Sequence, residues 1–373
     1  MAQKIITPEG NYKGLDEWIH EKSGKKILMV CDGSILYQKA FNAHMEEVEK
    51  KGVQIIRFSD FQPNPLYESV RNGVQVFRKE HCDAVIAVGG GSALDVAKCI
   101  KLYAGSPGDG KDGSWLTAAY VPNDVPFLAM PTTAGTGSEA TRYAVIYYEG
   151  RKQSVTSDSF IPDTVLMDPN TLMTLPLYQK KATMCDALCH AIESYWSVNS
   201  TEESKKHSSA AIRDVMSHMD GYLENTEEGR AGMLRAANMA GKAINITQTT
   251  AGHAMCYKIT SLFQIAHGHA AILCDRVLYP WMVKHTENCI DPRGEDYLRK
   301  TLDEIGMAMG CADGLTGAEK LITLFDKLAL DVPAATEEQY EELRTSVNPE
   351  RLKNHPIRLT VDRIDSLYHE ILR

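Results

Sequence analysis

Short β-branched apolar runs alternate with amphipathic segments through the first half of the chain, and this alternation restricts the fold more than any other feature. Strands are predicted at Lys26–Cys31, Val53–Phe58 and Ala84–Val88, and a helix is predicted over residues 65–80. Repeats of strand, helix and strand are typical of a mostly parallel sheet with helices on its faces. We therefore expect the first half to form an α/β domain.

The pattern changes near residue 177. Beyond that point strand candidates nearly vanish, and helices are predicted over residues 180–198, 203–223, 229–248 and 316–328. The segment Leu172–Leu177 contains Pro176 and is a candidate hinge. Residues 1–177 are therefore predicted to form the α/β domain, and residues 178–373 an all-helical domain.

Composition excludes several classes of function. The formal net charge of −9 would repel phosphate backbones, so nucleic acid is not expected as a partner. No apolar run approaches the roughly 20 residues that cross a bilayer, and residues 1–8 contain no apolar signal segment. Nine scattered cysteines, an odd number, are typical of reduced thiols in the cytoplasm. We expect a cytoplasmic protein without membrane contact.

Two glycine-rich loops follow predicted strands or apolar runs in the first half. The first, Gly89–Ser92, precedes a helix start, where free backbone N–H groups can bind a phosphate; the alternative is a plain strand-to-helix turn. The second, Pro131–Glu139, carries hydroxyls and glycines that suit a dinucleotide, and its alternative is a flexible surface loop. Two such loops in one α/β domain favour a dinucleotide site.

Asp32 directly follows the first predicted strand. A carboxylate there can accept hydrogen bonds from a ribose 2′-hydroxyl and would repel a 2′-phosphate, which favours NAD over NADP. The alternative is a residue that simply forms the Asp32-Gly33 turn.

A set of potential metal ligands lies in the second half. Asp186 and His190 are four residues apart in a helical pattern and so share one helix face, and His253 and His267 follow. One carboxylate and three imidazoles suit Fe(II), Zn(II), Mn(II), Co(II) or Ni(II). The alternative for the first pair is a surface hydrogen bond. His269 is an alternative ligand or a support for one, and the neighbouring thiols of Cys185 and Cys189 are expected to pack in the interior.

Together these motifs resemble the iron-containing (group III) alcohol dehydrogenases. The resemblance spans nearly the whole chain and keeps the order of the motifs, which are Gly89–Lys98, Pro131–Glu139, Asp186–Glu193 and Gly252–Pro280. It implies a Rossmann-like dinucleotide-binding domain followed by an all-α metal-binding domain, the fold shared with dehydroquinate synthase. It also implies NAD(H) and one divalent metal as cofactors, with Fe2+ favoured and Zn2+ or Mn2+ as alternatives.

The resemblance also implies roles for single residues. The implied metal ligands are Asp186, His190, His253 and His267. The implied cofactor contacts are Asp32, Asn64, Gly90, Gly91, Ser92, Asp95, Thr132, Thr133, Ser138 and Lys152.

One position departs from the family pattern. Many members have a second histidine four residues after the one that matches His253, and here that position is Tyr257. The histidine is usually assigned to proton relay, and the hydroxyl of a tyrosine could replace it. Tyr257, Lys258 and His267 are therefore the candidate catalytic residues, with Lys258, and also Arg142, as partners for an anionic substrate.

The expected activity is NAD(H)-linked interconversion of a small alcohol and its aldehyde. The run around His253 resembles members that reduce aldehydes bearing a sulfonate or phosphonate, converting sulfoacetaldehyde to isethionate or phosphonoacetaldehyde to 2-hydroxyethylphosphonate. The alternatives are a short-chain aliphatic alcohol or diol dehydrogenase, a dehydroquinate synthase-like lyase, and a non-catalytic binding protein. The family usually forms homodimers or larger homo-oligomers.

Overall fold

A computed structural model describes residues 3–120 and 123–373 of the 373-residue chain. Met1 and Ala2, which belong to the N-terminal stretch considered above, lie outside the described residues. The chain forms two compact units, one of Met1–Thr133 with Ser138–Leu175 and one of Ala134–Gly137 with Pro176–Arg373. The loop Ala134–Gly137 therefore belongs to the second unit, whereas the sequence predicts one boundary, at residue 177. That boundary stays a proposal.

The first unit is built on a six-stranded parallel sheet. Its strand order is β1-β8-β5-β4-β2-β3, and a separate antiparallel hairpin pairs β6 with β7. The strands are β1 (Lys4–Ile6), β2 (Lys26–Cys31), β3 (Gln54–Phe58), β4 (Ala84–Gly89), β5 (Phe127–Pro131), β6 (Tyr143–Tyr148), β7 (Arg151–Thr156) and β8 (Thr164–Leu166). The three predicted strands are confirmed as β2, β3 and β4.

Helices cover both faces of this sheet. They are α1 (Lys13–Lys22), α2 (Lys39–Lys50), α3 (Tyr67–Lys79), α4 (Gly91–Ala104) and the short α5 (Ser114–Thr117). Side chains of β2 alternate between two apolar clusters, with Leu28 and Val30 packing with residues of α3 and α4. Ile27 and Met29 pack instead with residues of α1 and α2. Every residue of β4 is buried, as expected for a central strand of a parallel sheet.

The second unit is helical, and no strand occurs among its described residues. Its helices are α6 (Leu177–Trp196), α7 (Glu202–Leu223), α8 (Glu227–Thr247), α9 (Ala251–Phe263), α10 (His267–Lys284), α11 (Glu295–Ala308), α12 (Gly314–Leu328), α13 (Glu337–Ser346), α14 (Pro349–Leu352) and α15 (Val361–Ile371). The side chain of Thr201 caps the start of α7, and that of Thr226 caps α8. The predicted α/β-plus-helical fold is confirmed.

Two glycines allow the helices that carry the predicted ligands to pack closely. A Cβ on Gly252 of α9 would lie 2.0 Å from Oδ1 of Asp275, and one on Gly268 of α10 would lie 2.1 Å from the carbonyl oxygen of Ala182. Only a residue without a side chain fits at either position.

None of the helices in the described parts of the chain has the length and apolar character of a membrane span.

Candidate active site

The first candidate region is the edge of the sheet where β2 and β4 end. The chain leaves β2 toward β3 on one side and returns to β4 on the other, so these two strands form the switch point of the sheet. Ligands of open α/β sheets bind outside the carboxyl ends of the strands at such a point. Asp32 follows β2 and Gly90 follows β4, so both predicted cofactor contacts lie at this edge.

The Asp32 carboxylate ties the two strand ends together. Its Oδ2 accepts a hydrogen bond from the Gly90 N–H at 3.1 Å, and its Oδ1 accepts one from the Ser34 N–H at 2.9 Å. A Cβ on Gly89 would lie 2.5 Å from that same Oδ2, so the close approach requires glycine. A carboxylate has about four acceptor sites, and each oxygen therefore keeps capacity for a further donor such as a ribose hydroxyl. Asp32 therefore holds the turn through these hydrogen bonds and can still accept one from a bound cofactor.

The second loop is fixed to this edge through Thr132. Its N–H donates to the Gly89 carbonyl at 3.0 Å, and its hydroxyl lies 3.0 Å from that of Ser34. Thr133 is half-buried beside Gly90, where an added Cβ would meet its methyl group at 3.4 Å. The predicted phosphate loop and hydroxyl loop are therefore neighbours at the switch point.

Asp95 and Ser138 belong to a buried polar network. The Ser138 hydroxyl donates to Oδ1 of Asp95 at 2.8 Å, and the Val145 N–H donates to Oδ2 at 2.9 Å. Lys98, which is fully buried, donates to the carbonyl of Ser138 at 2.6 Å and to that of Tyr143 at 2.7 Å. Burial lowers the pKa of Lys98 to about 8 and raises the pKa of Asp95. The network anchors the loop from inside, and a direct cofactor contact by Asp95 or Ser138 stays a prediction.

The remaining predicted cofactor residues lie at three places. Gly91 and Ser92 are the half-buried first residues of α4, whose N-terminus faces the same edge of the sheet. Asn64 is exposed in the segment after β3 and has a φ of 59°, and Lys152 is exposed in β7. Their contacts to a cofactor stay predictions.

The second candidate region is a cluster of metal-ligand side chains in the helical unit. Asp186 lies in α6, His253 in the first turn of α9, and His267 begins α10. One ligand atom from each of the three lies within 4.8 Å of the other two. Oδ1 of Asp186 and Nε2 of His253 are buried 3.5 Å apart, and neither has a hydrogen-bond partner in the described part of the chain. Buried polar atoms left open in this way, with an N3O or N2O donor set, fit a divalent transition metal.

His190 lies beside this cluster rather than within it. Its Nε2 is 4.0 Å from Oδ1 of Asp186, and its ring stacks on that of His253 with 4.5 Å between centroids. Its buried Nδ1 has no hydrogen-bond partner among the described residues. The structure thus brings three predicted ligands together, and ligation by His190 stays a prediction.

The electrostatics of the cluster favour a positive charge. Burial alone would raise the pKa of Asp186, but the surrounding imidazoles outweigh it and hold that pKa below its usual value. Burial would lower the pKa of His253, yet the Glu193 and Asp186 carboxylates raise it to about 10. Burial lowers the pKa of His190. A cation placed among these groups would satisfy the same carboxylates.

Glu193 supports the cluster and was missed by the sequence analysis. It is fully buried in α6, and its Oε1 accepts hydrogen bonds from the N–H of His253, at 3.0 Å, and from Nδ1 of the same residue. Its Oε2 accepts from the N–H of Thr250 at 2.6 Å and from its hydroxyl at 2.7 Å. A carboxylate behind a ligand imidazole fixes the ring and leaves Nε2 as the ligand atom. Its position three residues after His190, on the same helix face, was the available signal.

Tyr257 and Lys258 differ in their surroundings. The Tyr257 ring stacks on His267 with 5.4 Å between centroids, and burial raises the pKa of its hydroxyl to about 12. Nη1 of Arg351, a second residue that the sequence analysis missed, donates to this hydroxyl at 3.3 Å. Lys258 forms an ion pair with Glu342 of α13, so its charge is already balanced. Its proposed role as an anion partner stays untested and gains no support from this geometry.

Other candidates are excluded by their contacts. Nδ1 of His269 lies 3.1 Å from the Tyr178 hydroxyl and its Nε2 lies 2.8 Å from the Asp331 carbonyl, so both ring nitrogens are occupied away from the cluster. Cys185 and Cys189 are fully buried, and burial raises the pKa of both thiols. They are packing residues, as expected.

Comparison with known proteins adds independent evidence. The sequence profile described as "Iron-containing alcohol dehydrogenase" matches residues 2–169, and the one described as "Fe-containing alcohol dehydrogenase family, C-terminal" matches residues 180–372. Alcohol dehydrogenase 4 of Schizosaccharomyces pombe is 31% identical over 83% of this chain and 71% of its own length. The phosphonoacetaldehyde reductase of Streptomyces viridochromogenes is 31% identical over 76% and 77%. The crystal structure of sulfoacetaldehyde reductase from Bifidobacterium kashiwanohense in complex with NAD+ superposes with a TM-score of 0.84 at 26% identity, covering 99% of this chain and 96% of that one.

Proposed function

The chain belongs to the iron-containing alcohol dehydrogenase family, and we propose that it interconverts a small aldehyde and its alcohol with NAD(H) as the hydride carrier. Membership makes it an oxidoreductase. The predicted cofactors, NAD(H) and one divalent metal ion with Fe2+ favoured, are confirmed at the level of the family.

The observation that carries this proposal is the convergence of Asp186, His253 and His267 from three helices, where Oδ1 of Asp186 and Nε2 of His253 are buried without a hydrogen-bond partner among the described residues. Asp186, His253 and His267 would hold a divalent cation there, and such a cation would supply a Lewis acid for a carbonyl oxygen. Asp186 contributes the single negative charge of this ligand set, so the net charge would remain about one positive, which suits an oxygen that gains negative charge. Glu193 holds the His253 ring in the orientation that keeps Nε2 toward the ligand centre.

The chain itself offers one group for the proton that an alkoxide needs. The Tyr257 hydroxyl belongs to a ring that stacks on His267, and like any phenol it is protonated at neutral pH, while burial raises its pKa further. We assign this hydroxyl the role of holding and passing on the proton, in place of the family's histidine. Of the other two predicted catalytic residues, His267 acts here as a proposed metal ligand, and Lys258, which pairs with Glu342, is assigned no step. On the cofactor side, Asp32 is proposed to select NAD over NADP through the ribose hydroxyl.

For the substrate we propose a small aldehyde that carries a sulfonate or a phosphonate. The similarity to a phosphonoacetaldehyde reductase and to the structure of a sulfoacetaldehyde reductase supports this choice. A short-chain alcohol or diol dehydrogenase is the second candidate, since alcohol dehydrogenase 4 of Schizosaccharomyces pombe and the 1,3-propanediol dehydrogenase of Citrobacter freundii are 31% and 32% identical.

An aldehyde panel tests both candidates. The protein is reconstituted with Fe2+, Zn2+ or Mn2+ and assayed with NADH on sulfoacetaldehyde, phosphonoacetaldehyde, propanal and 3-hydroxypropanal. Asp186→Ala and His267→Ala should lose both bound metal and turnover, whereas the control His207→Ala, whose ring pairs with Glu203 on the surface of α7, should retain them. Full turnover by metal-free protein would refute the proposal. Net consumption of NADH also distinguishes it from a lyase that regenerates its cofactor.

The enzyme is further proposed to act in the cytoplasm as a homodimer or a larger homo-oligomer, as is usual in the family. Light scattering of the purified protein tests the assembly. A mass of one chain, 41.4 kDa, would contradict it.

A further inference from the structure

Arg351 lies next to the metal-ligand cluster through one intervening ring. It belongs to α14, and its guanidinium carbon lies 5.2 Å from the centre of the Tyr257 ring. That ring in turn lies 5.4 Å, centre to centre, from the imidazole of His267. The sum of these two distances is the largest separation possible between the guanidinium and the ligand imidazole. The guanidinium therefore lies within this distance of the ligand imidazole, which is on the scale of a small ligand bound at the cluster.

The charge of Arg351 is not balanced by the protein. Among the described residues, no carboxylate lies within ion-pair distance of its guanidinium, although the side chain is half-buried. Nearby basic residues, by contrast, each pair with a carboxylate. These ion pairs are Arg344–Asp365, Lys353–Glu350 and Lys258–Glu342. The Tyr257 hydroxyl is the only polar contact of this guanidinium within the described residues 3–120 and 123–373. A half-buried cation of this kind near a metal-ligand site is the arrangement expected for binding an anionic group of a ligand.

We propose that Arg351 is the residue that selects the substrate, by binding the sulfonate or phosphonate oxygens of an aldehyde whose carbonyl oxygen lies at the Asp186–His253–His267 cluster. This inference rests on the proposed function and refines it. A guanidinium presents two parallel N–H groups to two oxygens of a tetrahedral anion, which fixes the orientation as well as the position of the substrate. Lys258 does not take this role, because Glu342 already neutralises it.

Tyr257 acts on Arg351 as a positioning residue in addition to its proposed proton-holding role. The hydroxyl accepts a hydrogen bond from Nη1, and the ring face lies beneath the guanidinium. One N–H of the Arg351 guanidinium is thereby directed to the Tyr257 hydroxyl, and its other N–H groups remain to bind a ligand. The departure from the family's histidine thus gives Arg351 both a hydrogen-bond acceptor and an aromatic surface.

Kinetics with matched substrates provide the first test. The ratio of kcat/KM on sulfoacetaldehyde to kcat/KM on propanal, a neutral aldehyde of similar size, is measured for the wild type, Arg351→Gln, Arg351→Lys and Lys258→Gln. We expect Arg351→Gln to lower this ratio about tenfold to hundredfold, the range for losing a hydrogen bond to a charged group, and Arg351→Lys to lower it less. Arg358→Gln, which removes an exposed cation, should leave the ratio unchanged. An unchanged ratio in Arg351→Gln, or a loss in Lys258→Gln instead, would overturn the inference while the aldehyde reductase activity stands.

A binding measurement separates this inference from the proposed reaction. Ethanesulfonate and ethylphosphonate are titrated calorimetrically into metal-loaded wild type and Arg351→Gln, in a buffer free of sulfate and phosphate. Binding at least about tenfold weaker in the variant supports the anion site even where no aldehyde is turned over. Equal affinity in both proteins, or no affinity of the wild type for either anion, overturns it. A preference for one anion identifies the headgroup, and equal melting temperatures of the two proteins show that Arg351→Gln is folded.

Discussion

Glu193→Gln tests whether the buried carboxylate behind His253 determines metal affinity. The glutamate accepts four hydrogen bonds, two from His253 and two from Thr250. Glutamine has nearly the same shape but only one oxygen, and its amide group donates. If the amide faces His253, the imidazole must accept at Nδ1 and carry its proton on Nε2, the atom that points at the ligand centre. If it faces Thr250 instead, a buried backbone N–H loses its acceptor.

Both orientations have a measurable cost. A buried donor left without a partner costs about 1–3 kcal/mol, and more where one partner is charged. Loss of the group that supports a ligand imidazole typically weakens metal binding by about 10- to 100-fold, which corresponds to about 1.4–2.8 kcal/mol. We therefore expect Glu193→Gln to bind Zn2+ or Fe2+ between one and two orders of magnitude more weakly than the wild type, with a parallel loss of stability.

Competition with a chromophoric chelator measures this affinity directly. Glu304→Gln is the matched control, because the Glu304 carboxylate also accepts from a buried group, the Lys205 ammonium, within the same helical unit but touches none of the proposed ligands. The control should keep the wild-type metal affinity. A Glu193→Gln protein whose metal affinity lies within about twofold of the wild type would show that the reasoning about His253 orientation is wrong.

Three further substitutions probe other parts of the molecule. Asp32→Ser should raise the ratio of kcat/KM for NADPH to that for NADH at least about tenfold, because it removes the charge that repels a 2′-phosphate; an unchanged ratio contradicts this. Gly268→Ala would place a methyl group 2.1 Å from the Ala182 carbonyl and 2.6 Å from Cβ of Asp186, so calorimetry should show about 1–3 kcal/mol of destabilisation and chelator competition should show weaker metal binding. Burial lowers the pKa of His355 from 6.5 to about 4, so between these values the unfolded chain binds a proton that the fold excludes, and stability falls as pH falls. In the wild type, the free energy of unfolding should therefore fall by about 3 kcal/mol more than in His355→Phe between these two pH values. Urea unfolding measures this difference, and the same pH dependence in both proteins would contradict the role of His355.

The fold was predictable where the periodicity is strong. The strands β2, β3 and β4 and the long helices α6, α7, α8 and α12 were found within a few residues of their observed ends. The strands β1 and β8 were missed because each has three residues, too few to establish an alternation. The hairpin of β6 and β7 was also missed, because polar and charged residues along β7 mask its pattern. The inclusion of residues 134–137 in the helical unit depends on tertiary packing, which no local pattern encodes.

The residues of the site divide in the same way. Asp186 and His190 are detectable because their spacing places them on one helix face, and His253 and His267 because each adjoins a glycine in an apolar segment. Glu193 and Arg351 have residue types that usually lie in solvent. The spacing of Glu193 from His190 places it on the helix face of the proposed ligands, whereas no sequence pattern separates Arg351 from an ordinary surface charge. Their significance depends on contacts over 60 and 94 residues of chain respectively, and these exist only after the helices pack. The proposed ligands can therefore be predicted from local sequence, whereas the groups proposed to orient them and to select the substrate become visible only in the fold. Substrate specificity among relatives about 30% identical should for this reason be sought in residues such as Arg351 before the metal ligands themselves.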